Sequence, residues 1–313
     1  MNFKMTILTG AAGFIGSCIL SYLNALGIND IICVDDFGNG GKWKNILNKK
    51  YIDFISCNEF YSKLDSFQNI ELIIHMGACS STTEANMDFL YRNNYLCSRN
   101  LYNWCKRIDA RFIYASSAST YGNGDDGFFD RTEKLSPLNK YGFSKYLFDQ
   151  WQVVQKPLKQ CVGLKFFNVY GPNEYHKDNM HSIIYNFYQE AVNKGKITIY
   201  GEDGSQKRDF IYIKDLLCII KHFIDNADIS GIFNVGTGTA ASFLKIAETI
   251  ISILGIEKKI TYQDIPDYLL PIYQFYTCAD IDNLRACGYK NDFYSIEEGI
   301  TDYIGYLRNM MYY

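Results

Sequence analysis

The 313-residue chain has only 4 histidines and 5 prolines, and none of its 10 cysteines falls in a C-x-x-C pair. Structural zinc sites draw on closely spaced Cys and His ligands. Here His176 and His181 stand five apart, a poor helical ligand pair, and no carboxylate cluster lies beside them. We therefore read no metal site. Nor is there a run of about 18 apolar residues that could span a bilayer. The first apolar stretch, residues 5–8, is cut by Thr9 and Gly10 and is too short for the core of an export signal. No membrane partner and a cytoplasmic location are expected. With a formal charge of −3 and no long Lys/Arg block, the chain also lacks the basic stripe that nucleic-acid backbones require, so no nucleic-acid partner is expected. In this setting cysteines lying mostly within apolar segments are expected to be reduced core residues.

What the chain does have is 48% hydrophobic, 16% aromatic and 21% charged residues, the make-up of a folded globular protein with a large core. Short apolar runs alternate with longer amphipathic ones. Strands are predicted at residues 5–8, 31–34, 72–75, 112–115 and 161–166, and helices at 15–26, 87–105 and 141–154. That alternation indicates an α/β architecture: a Rossmann-type, doubly wound parallel sheet over residues 1–166. After Phe166 the pattern loosens, with helices near 182–193, 213–225 and 243–254. Residues 167–313 are expected to form mainly a smaller α/β substrate-binding domain. The two are interleaved, because apolar stretches near 210–236 can return to the first domain. Ligands of such sheets sit at the carboxyl ends of the strands, near the switch in strand order.

The first predicted strand runs into TGAAGFIG, residues 9–16, and then into a helix. Gly10 permits a tight turn, Gly13 lets backbone N–H groups approach a pyrophosphate, and Gly16 lets helix and strand pack closely. The helix amino end, with Phe14 and Ile15 expected at the cofactor, favours negative charge. A dinucleotide site is expected. The next strand ends at Asp35, about 20 residues on, where an acid reaches the adenosine ribose. Asp35 and Asp36 would repel a ribose 2′-phosphate, whereas Lys42 could neutralise one, so NADP and NAD are both open at this point. Met76, Gly77, Ala78, Cys79 and Ser80 follow the strand at 72–75; they suit a backbone lying against a cofactor, or simply a strand-to-helix turn.

The second motif is Tyr141 and Lys145, at i and i+4 on one helix face. A phenol with a pKa of about 10 is a poor base at neutral pH, and a neighbouring cation stabilises its phenolate. Alone, this spacing also describes an aromatic and a lysine packed on a helix surface. Here it follows the glycine loop and a strand ending in hydroxyls, where Ser117 rather than Ser116 is the residue expected to bind a substrate oxygen.

TGAAGFIG, YASSASTYG (114–122), YGFSK (141–145) and FFNVYGP (166–172) together resemble the extended short-chain dehydrogenase/reductase superfamily of nucleotide-sugar epimerases and dehydratases. GACSSTTE (77–84), Asn93-Asn94-Tyr95, His176-Lys177, Lys207-Arg208-Asp209-Phe210 and Tyr273-Gln274 resemble its branch acting on carbon 6 of an ADP-linked heptose, in lipopolysaccharide core biosynthesis. The resemblance implies an isomerase with tightly held NADP that is reduced and reoxidised each turnover, with Tyr141 and Lys177 as acid/base groups. Lys145 would hold the nicotinamide ribose and Ser117 the reacting oxygen. It places Asn93, Val169 and Lys177 at the cofactor. Asn168, Asn179, Asn186, Tyr200, Gly201, Glu202, Asp203, Arg208 and Tyr273 would meet the ADP-heptose substrate. It also implies a homo-oligomer, a pentamer among the options. The chain departs from the family's pattern at Asn179, usually serine, at Asn186, a histidine elsewhere, and at Asp36, where asparagine is common.

Three other readings compete. A 4,6-dehydratase would carry an acidic pair after the hydroxyl, but Ala118 and Ser119 follow Ser117. A UDP-glucose 4-epimerase shares Ser, Tyr and Lys but not Lys177 or GACSSTTE. A non-catalytic dinucleotide sensor would be expected to lack the Tyr or Lys.

Overall fold

The computed structural model describes residues 5–131, 134–155, 160–177, 180–201 and 203–313. Strands β1 (Thr6–Thr9), β2 (Ile31–Val34), β3 (Asp53–Ile55), β4 (Leu72–His75), β5 (Arg111–Ser117) and β6 (Cys161–Phe166) belong to one sheet. Most are buried on both faces, which is why they read as continuous apolar runs. A seventh strand, which we number β10 (Gly231–Val235), joins beside β6. The order is β10-β6-β5-β4-β1-β2-β3 and every pairing is parallel. From β1 the chain runs out through β2 to β3 and then crosses back to β4 on the other side of β1, so the crevice opens where the loops after β1 and β4 meet.

Alternate residues of a strand face opposite sides, and the core divides accordingly. Ile7, Ile73 and Phe112 pack with Leu101, Trp104 and Phe148. Leu8, Ile74 and Ile113 pack with Leu23 and Ile220 on the other face. The first cover is α3 (Met87–Leu90), continued by a π-helical turn at Tyr91–Leu96 into α4 (Cys97–Ile108), and α5 (Lys140–Val154). The second is α1 (Phe14–Ala25) and α7 (Ile213–Asp225). A short helix, α2 (Cys57–Ser62), precedes β4.

The smaller unit holds β7 (Asn168–Tyr170), β9 (Lys207–Tyr212) and β11 (Ala240–Ser242) in one sheet, and β8 (Ile197–Tyr200) with β12 (Ile260–Gln263) in another. Its helices are α6 (Ile183–Lys194), α8 (Phe243–Leu254), the short α9 (Asp282–Ala286) and α10 (Ile296–Arg308). Of the two apolar stretches expected to return, only residues 231–235 enter the large sheet. Residues 207–212 build the three-stranded sheet and pack Phe210, Ile211 and Tyr212 into the common core. All ten cysteines are unpaired, but only Cys18, Cys33, Cys105 and Cys161 are fully buried. Among the described residues no helix is long and apolar enough to cross a membrane.

Candidate active site

Gly10 takes φ +70°, the left-handed conformation glycine tolerates, and a Cβ on it would lie 2.7 Å from the Gly77 nitrogen. At Gly16 a Cβ would stand 2.0 Å from the Gly10 carbonyl oxygen. The turn is thus pressed against both the β4 loop and its own helix. Gly13 caps α1 without any side-chain hydrogen bond to the first-turn N–H groups. A helix amino end left in this way is a ready anion site. The residues present therefore fit a dinucleotide pyrophosphate.

Asp35, at the tip of β2, is buried, and its carboxylate accepts hydrogen bonds from Ala12 N–H (2.9 Å), Asp36 N–H (2.8 Å) and the Lys42 ammonium. Lys42 also donates to the Asp36 carbonyl at 2.9 Å. The exposed Asp36 turns its carboxylate to Cys57 N–H, 3.1 Å away.

A cleft of about 480 Å³ opens over these loops, lined by Gly10 to Gly16 on one side, Met76 to Ser81 on another, and Ser117, Tyr141, Lys145, Val169, His176 and Lys177 deeper in. The Cys79 part of its wall is held not by Asn93, the residue expected at the cofactor, but by its neighbour Asn94. The buried Asn94 accepts from Cys79 N–H and donates to the Cys79 carbonyl, both at 2.9 Å, and donates to Ser144 Oγ of α5 at 2.9 Å. Asn93 lies outside the cleft lining, its amide on Asn94 Oδ1 at 3.2 Å. The π-helical turn, a feature frequent at functional sites, decides which of the adjacent asparagines faces inward. Sequence reasoning passed over His75. Its Nδ1 lies 2.6 Å from Thr9 Oγ1 and its Nε2 2.9 Å from Ser98 Oγ, and burial, aided by the Lys145 charge, pushes its pKa down to about 3. It is a neutral brace between β1, β4 and α4.

Tyr141 and Ser117 meet because α5 starts hard against the end of β5. Asn139 caps the helix by accepting from Gly142 N–H at 2.8 Å, and a Cβ on Gly142 would be 2.6 Å from the Ser119 carbonyl. Tyr141, in the first turn, is thereby brought to Ser117. Burial raises the phenol's pKa, a hydrogen bond from Ser117 lowers it, and Cys79 and Asp149 raise it further. Strand alternation turns Ser116 the other way, onto Asp149 Oδ2 at 2.6 Å. The Lys145 ammonium donates to the Ala115 carbonyl at 2.9 Å. Burial pushes its pKa down to about 8, with Asp149 and Cys79 opposing.

Lys177 arrives from a different element, the loop after β7. Its backbone N–H donates to the Glu174 carbonyl at 3.0 Å and its Nζ sits 5.4 Å from the Phe14 ring centroid. Burial lowers its pKa, with Glu174 opposing. Beside it His176 faces Asn45 Nδ2 at 3.1 Å and is pushed down to about 4 by burial and then by the charges of Lys42 and Lys177. The loop is anchored by the buried Glu174, whose carboxylate takes the Ser182 hydroxyl at 2.7 Å and the Tyr303 hydroxyl at 2.9 Å.

Of the described residues expected at the substrate, Asn168, Asn186, Tyr200, Gly201, Asp203, Arg208 and Tyr273 come from the chain after β6 and stand outside the lining of this cleft. Arg208 is buried, its guanidinium 5.4 Å from the Tyr273 ring centroid and 5.6 Å from that of Phe243. It does not serve as a surface partner of Asp209, which accepts instead from the N–H groups of Thr237 (2.8 Å), Gly238 (2.9 Å) and Ala279 (3.0 Å). Asn168 is exposed at the start of β7, Asn186 is half-buried on α6, and Tyr200, Gly201 and Asp203 follow one another near the exposed end of β8. Asn179 and Glu202 lie outside the described residues.

The chain is similar to known proteins along nearly its whole length. Residues 6–236 match the NAD dependent epimerase/dehydratase family. An ADP-L-glycero-D-manno-heptose-6-epimerase of Nitratidesulfovibrio vulgaris is 42% identical over 96% of this chain and 97% of its own length. Among solved structures, the ADP-L-glycero-D-manno-heptose-6-epimerase of Helicobacter pylori superposes with a TM-score of 0.87 at 28% identity, covering 98% of this chain and 97% of that one. The UDP-N-acetylglucosamine 4-epimerase of Methanobrevibacter ruminantium reaches the same TM-score, 0.87, at 25% identity over 99% of this chain and 100% of that one. The glycine turn, the strand-end serine and the Tyr141–Lys145 helix all fall within or against the matched span, and the chain belongs to the NAD dependent epimerase/dehydratase family.

Proposed function

We propose that this protein inverts carbon 6 of the heptose in ADP-D-glycero-D-manno-heptose, using a bound NADP. One observation carries the reading: Tyr141, Ser117, Lys145 and Lys177 converge on a single cleft that begins at the glycine turn. The identity of 42% to a named heptose epimerase over nearly the whole chain supports the sugar.

The turn at Gly10 to Gly13 and the start of α1 would hold the pyrophosphate, Lys42 the ribose 2′-phosphate, and Lys145 the nicotinamide ribose, for which an ammonium has two donors beyond the one given to Ala115. When bound, the nicotinamide supplies reversible hydride acceptance, so the centre is oxidised to a ketone and reduced on its other face without net redox. Ser117 orients the sugar oxygen. Tyr141 takes the hydroxyl proton, and the Lys145 charge favours the ionised phenol. Lys177 comes from another wall, so a proton can be removed and returned with the oxygen in two orientations, which one fixed base serves poorly. Arg208, stacked on Tyr273, suits the substrate diphosphate because its planar fork pairs bidentately with phosphate.

The test is direct. Nucleotide released by denaturation is identified by mass spectrometry, and the protein is incubated with ADP-D-glycero-D-manno-heptose while NMR follows the other epimer. Tyr141→Phe should keep its cofactor and lose roughly 10²- to 10⁴-fold in turnover, the usual worth of a general base. Lys177→Met should bind cofactor and fail on at least one half-reaction. Interconversion of UDP-sugars instead of the heptose, or full turnover by Tyr141→Phe, would overturn the assignment.

A further inference from the structure

Beneath the reacting face lies a buried pair that the chemistry above does not use. Tyr141, Lys145 and Asp149 are spaced by four along α5 and share a stripe. Asp149, one turn deeper than Lys145, accepts from the Tyr114 hydroxyl at Oδ1 (3.0 Å) and from the Ser116 hydroxyl at Oδ2 (2.6 Å). Its Oδ2 also lies 3.1 Å from Lys165 Nζ, and the two side chains are 2% and 3% exposed. Lys165 stands on β6 in register with Ser116. It donates to Thr120 Oγ1 at 2.7 Å and sits 4.8 Å from the Tyr121 ring centroid, while Thr120 donates to the Ser117 carbonyl at 2.9 Å. The pair is thus linked through Thr120 to the Ser117 backbone, and the Asp149 charge acts on Lys145 one helical turn away.

Burying an ion pair seldom stabilises a fold more than apolar residues of the same volume would, because desolvation offsets the attraction. What it supplies here is charge. Two ammoniums, Lys145 and Lys165, and one carboxylate, Asp149, leave one positive charge uncompensated, the charge an ionised Tyr141 balances. The other titratable groups facing this cluster are His75 on β4, Cys79 after it, Tyr114 on β5, Tyr121 after it, and Cys161 on β6. Burial holds His75, Tyr114, Tyr121 and Cys161 in their neutral forms.

We propose that Asp149 and Lys165 are positioning residues whose opposed charges set the pH window in which Tyr141 and Lys145 act. The proposal rests on the roles given to Tyr141 and Lys145 above. A carboxylate at 149 favours the Lys145 ammonium and disfavours the Tyr141 phenolate. Removing it eases ionisation of Tyr141 and loss of the Lys145 proton alike, so both limbs of the pH–rate profile move to lower pH. Removing the cation at 165 moves both limbs to higher pH. Each shift should be about one pH unit, the low end of what one nearby charge produces.

The experiment measures kcat/KM against pH for Asp149→Asn, Lys165→Met and the double variant. It is joined by a titration of tyrosinate ultraviolet absorbance, taken as the difference from the same protein carrying Tyr141→Phe. The expected result is opposite displacements in the single variants, cancellation in the double, and a matching displacement of the Tyr141 titration. Loosened packing alone lowers the rate without moving the limbs in opposite directions. Should a single variant fail to fold, Asp149→Glu and Lys165→Arg keep the charges and should leave both limbs in place, whereas Lys165→Gln should move them to higher pH. Unmoved limbs, or displacement of both singles in the same direction, would overturn the proposal. If the wild type shows no turnover that depends on Tyr141, the earlier assignment fails instead.

Discussion

Lys42→Met isolates the choice between the two dinucleotides. Lys42 reaches back from the turn at Gly41–Ile46 to the Asp35 carboxylate, and its side chain is 23% exposed. A cofactor with a free 2′-hydroxyl needs Asp35 as acceptor, whereas one with a 2′-phosphate is repelled by that carboxylate and needs a cation beside it. In this structure the acceptor already takes two backbone N–H groups, at 2.9 and 2.8 Å, together with the ammonium. An ammonium and a phosphate oxygen about 4 Å apart attract by about 1 kcal/mol in water and about 4 kcal/mol at an effective dielectric near 20. A lysine in this partly open position falls between them, at about 2–3 kcal/mol. Losing it should weaken NADP about 30- to 150-fold. NAD should hold or improve, because Asp35 is released to the ribose diol. Calorimetric titration of cofactor-stripped wild type and variant with each dinucleotide reads both effects. Equal weakening of NADP and NAD, or a wild type that already prefers NAD, would refute the reasoning.

Gly16→Ala should cost about 1–3 kcal/mol of stability and abolish cofactor retention, since its Cβ would meet backbone 2.0 Å away that cannot yield; thermal melts and bound-nucleotide content check this. Lys145 is an ammonium below about pH 8 and loses its charge above it, so epimerisation should fall as pH rises through that value in a pH–rate profile. Burial pushes Asp215 up to about 7, so the unfolded chain ionises first as pH rises from the ordinary carboxyl range, and stability is lost progressively through pH 7. Asp215→Asn, whose amide oxygen can still accept from Tyr294 N–H (3.1 Å), should raise Tm at pH 8 and leave it unchanged below pH 4.

The Asp215 effect and the Asp149–Lys165 pair come from the same physics. In a core of this size a polar group is tolerated only with partners, and those partners then set when it can carry charge. Asp215 has one backbone donor and is pushed toward its neutral form; Asp149 has two hydroxyls and an ammonium. Around Tyr141 that arrangement places fixed charge next to a phenol that burial would otherwise keep protonated.

Much of this was legible in the sequence. Parallel strands buried on both faces leave continuous apolar runs, so β2, β4 and β6 coincide with the stretches read as strands, and helical spacing located α1, α5, α7 and α8 to within a residue. The glycine turn and the Tyr141–Lys145 stripe were legible for the same reason: each depends on local geometry, a tight turn or one helix face, that spacing alone encodes. The three-residue β3, buried only at Ile55, left no such trace. Neither could spacing tell Asn94 from Asn93, show that Asp35 is already occupied by Ala12, Asp36 and Lys42, or join Asp149 to Lys165 across α5 and β6. A residue's own neighbours along the chain settle which face it occupies. Which faces then meet, and which buried polar atom finds which partner, follows only from packing helices onto a sheet whose strands come from distant parts of the chain.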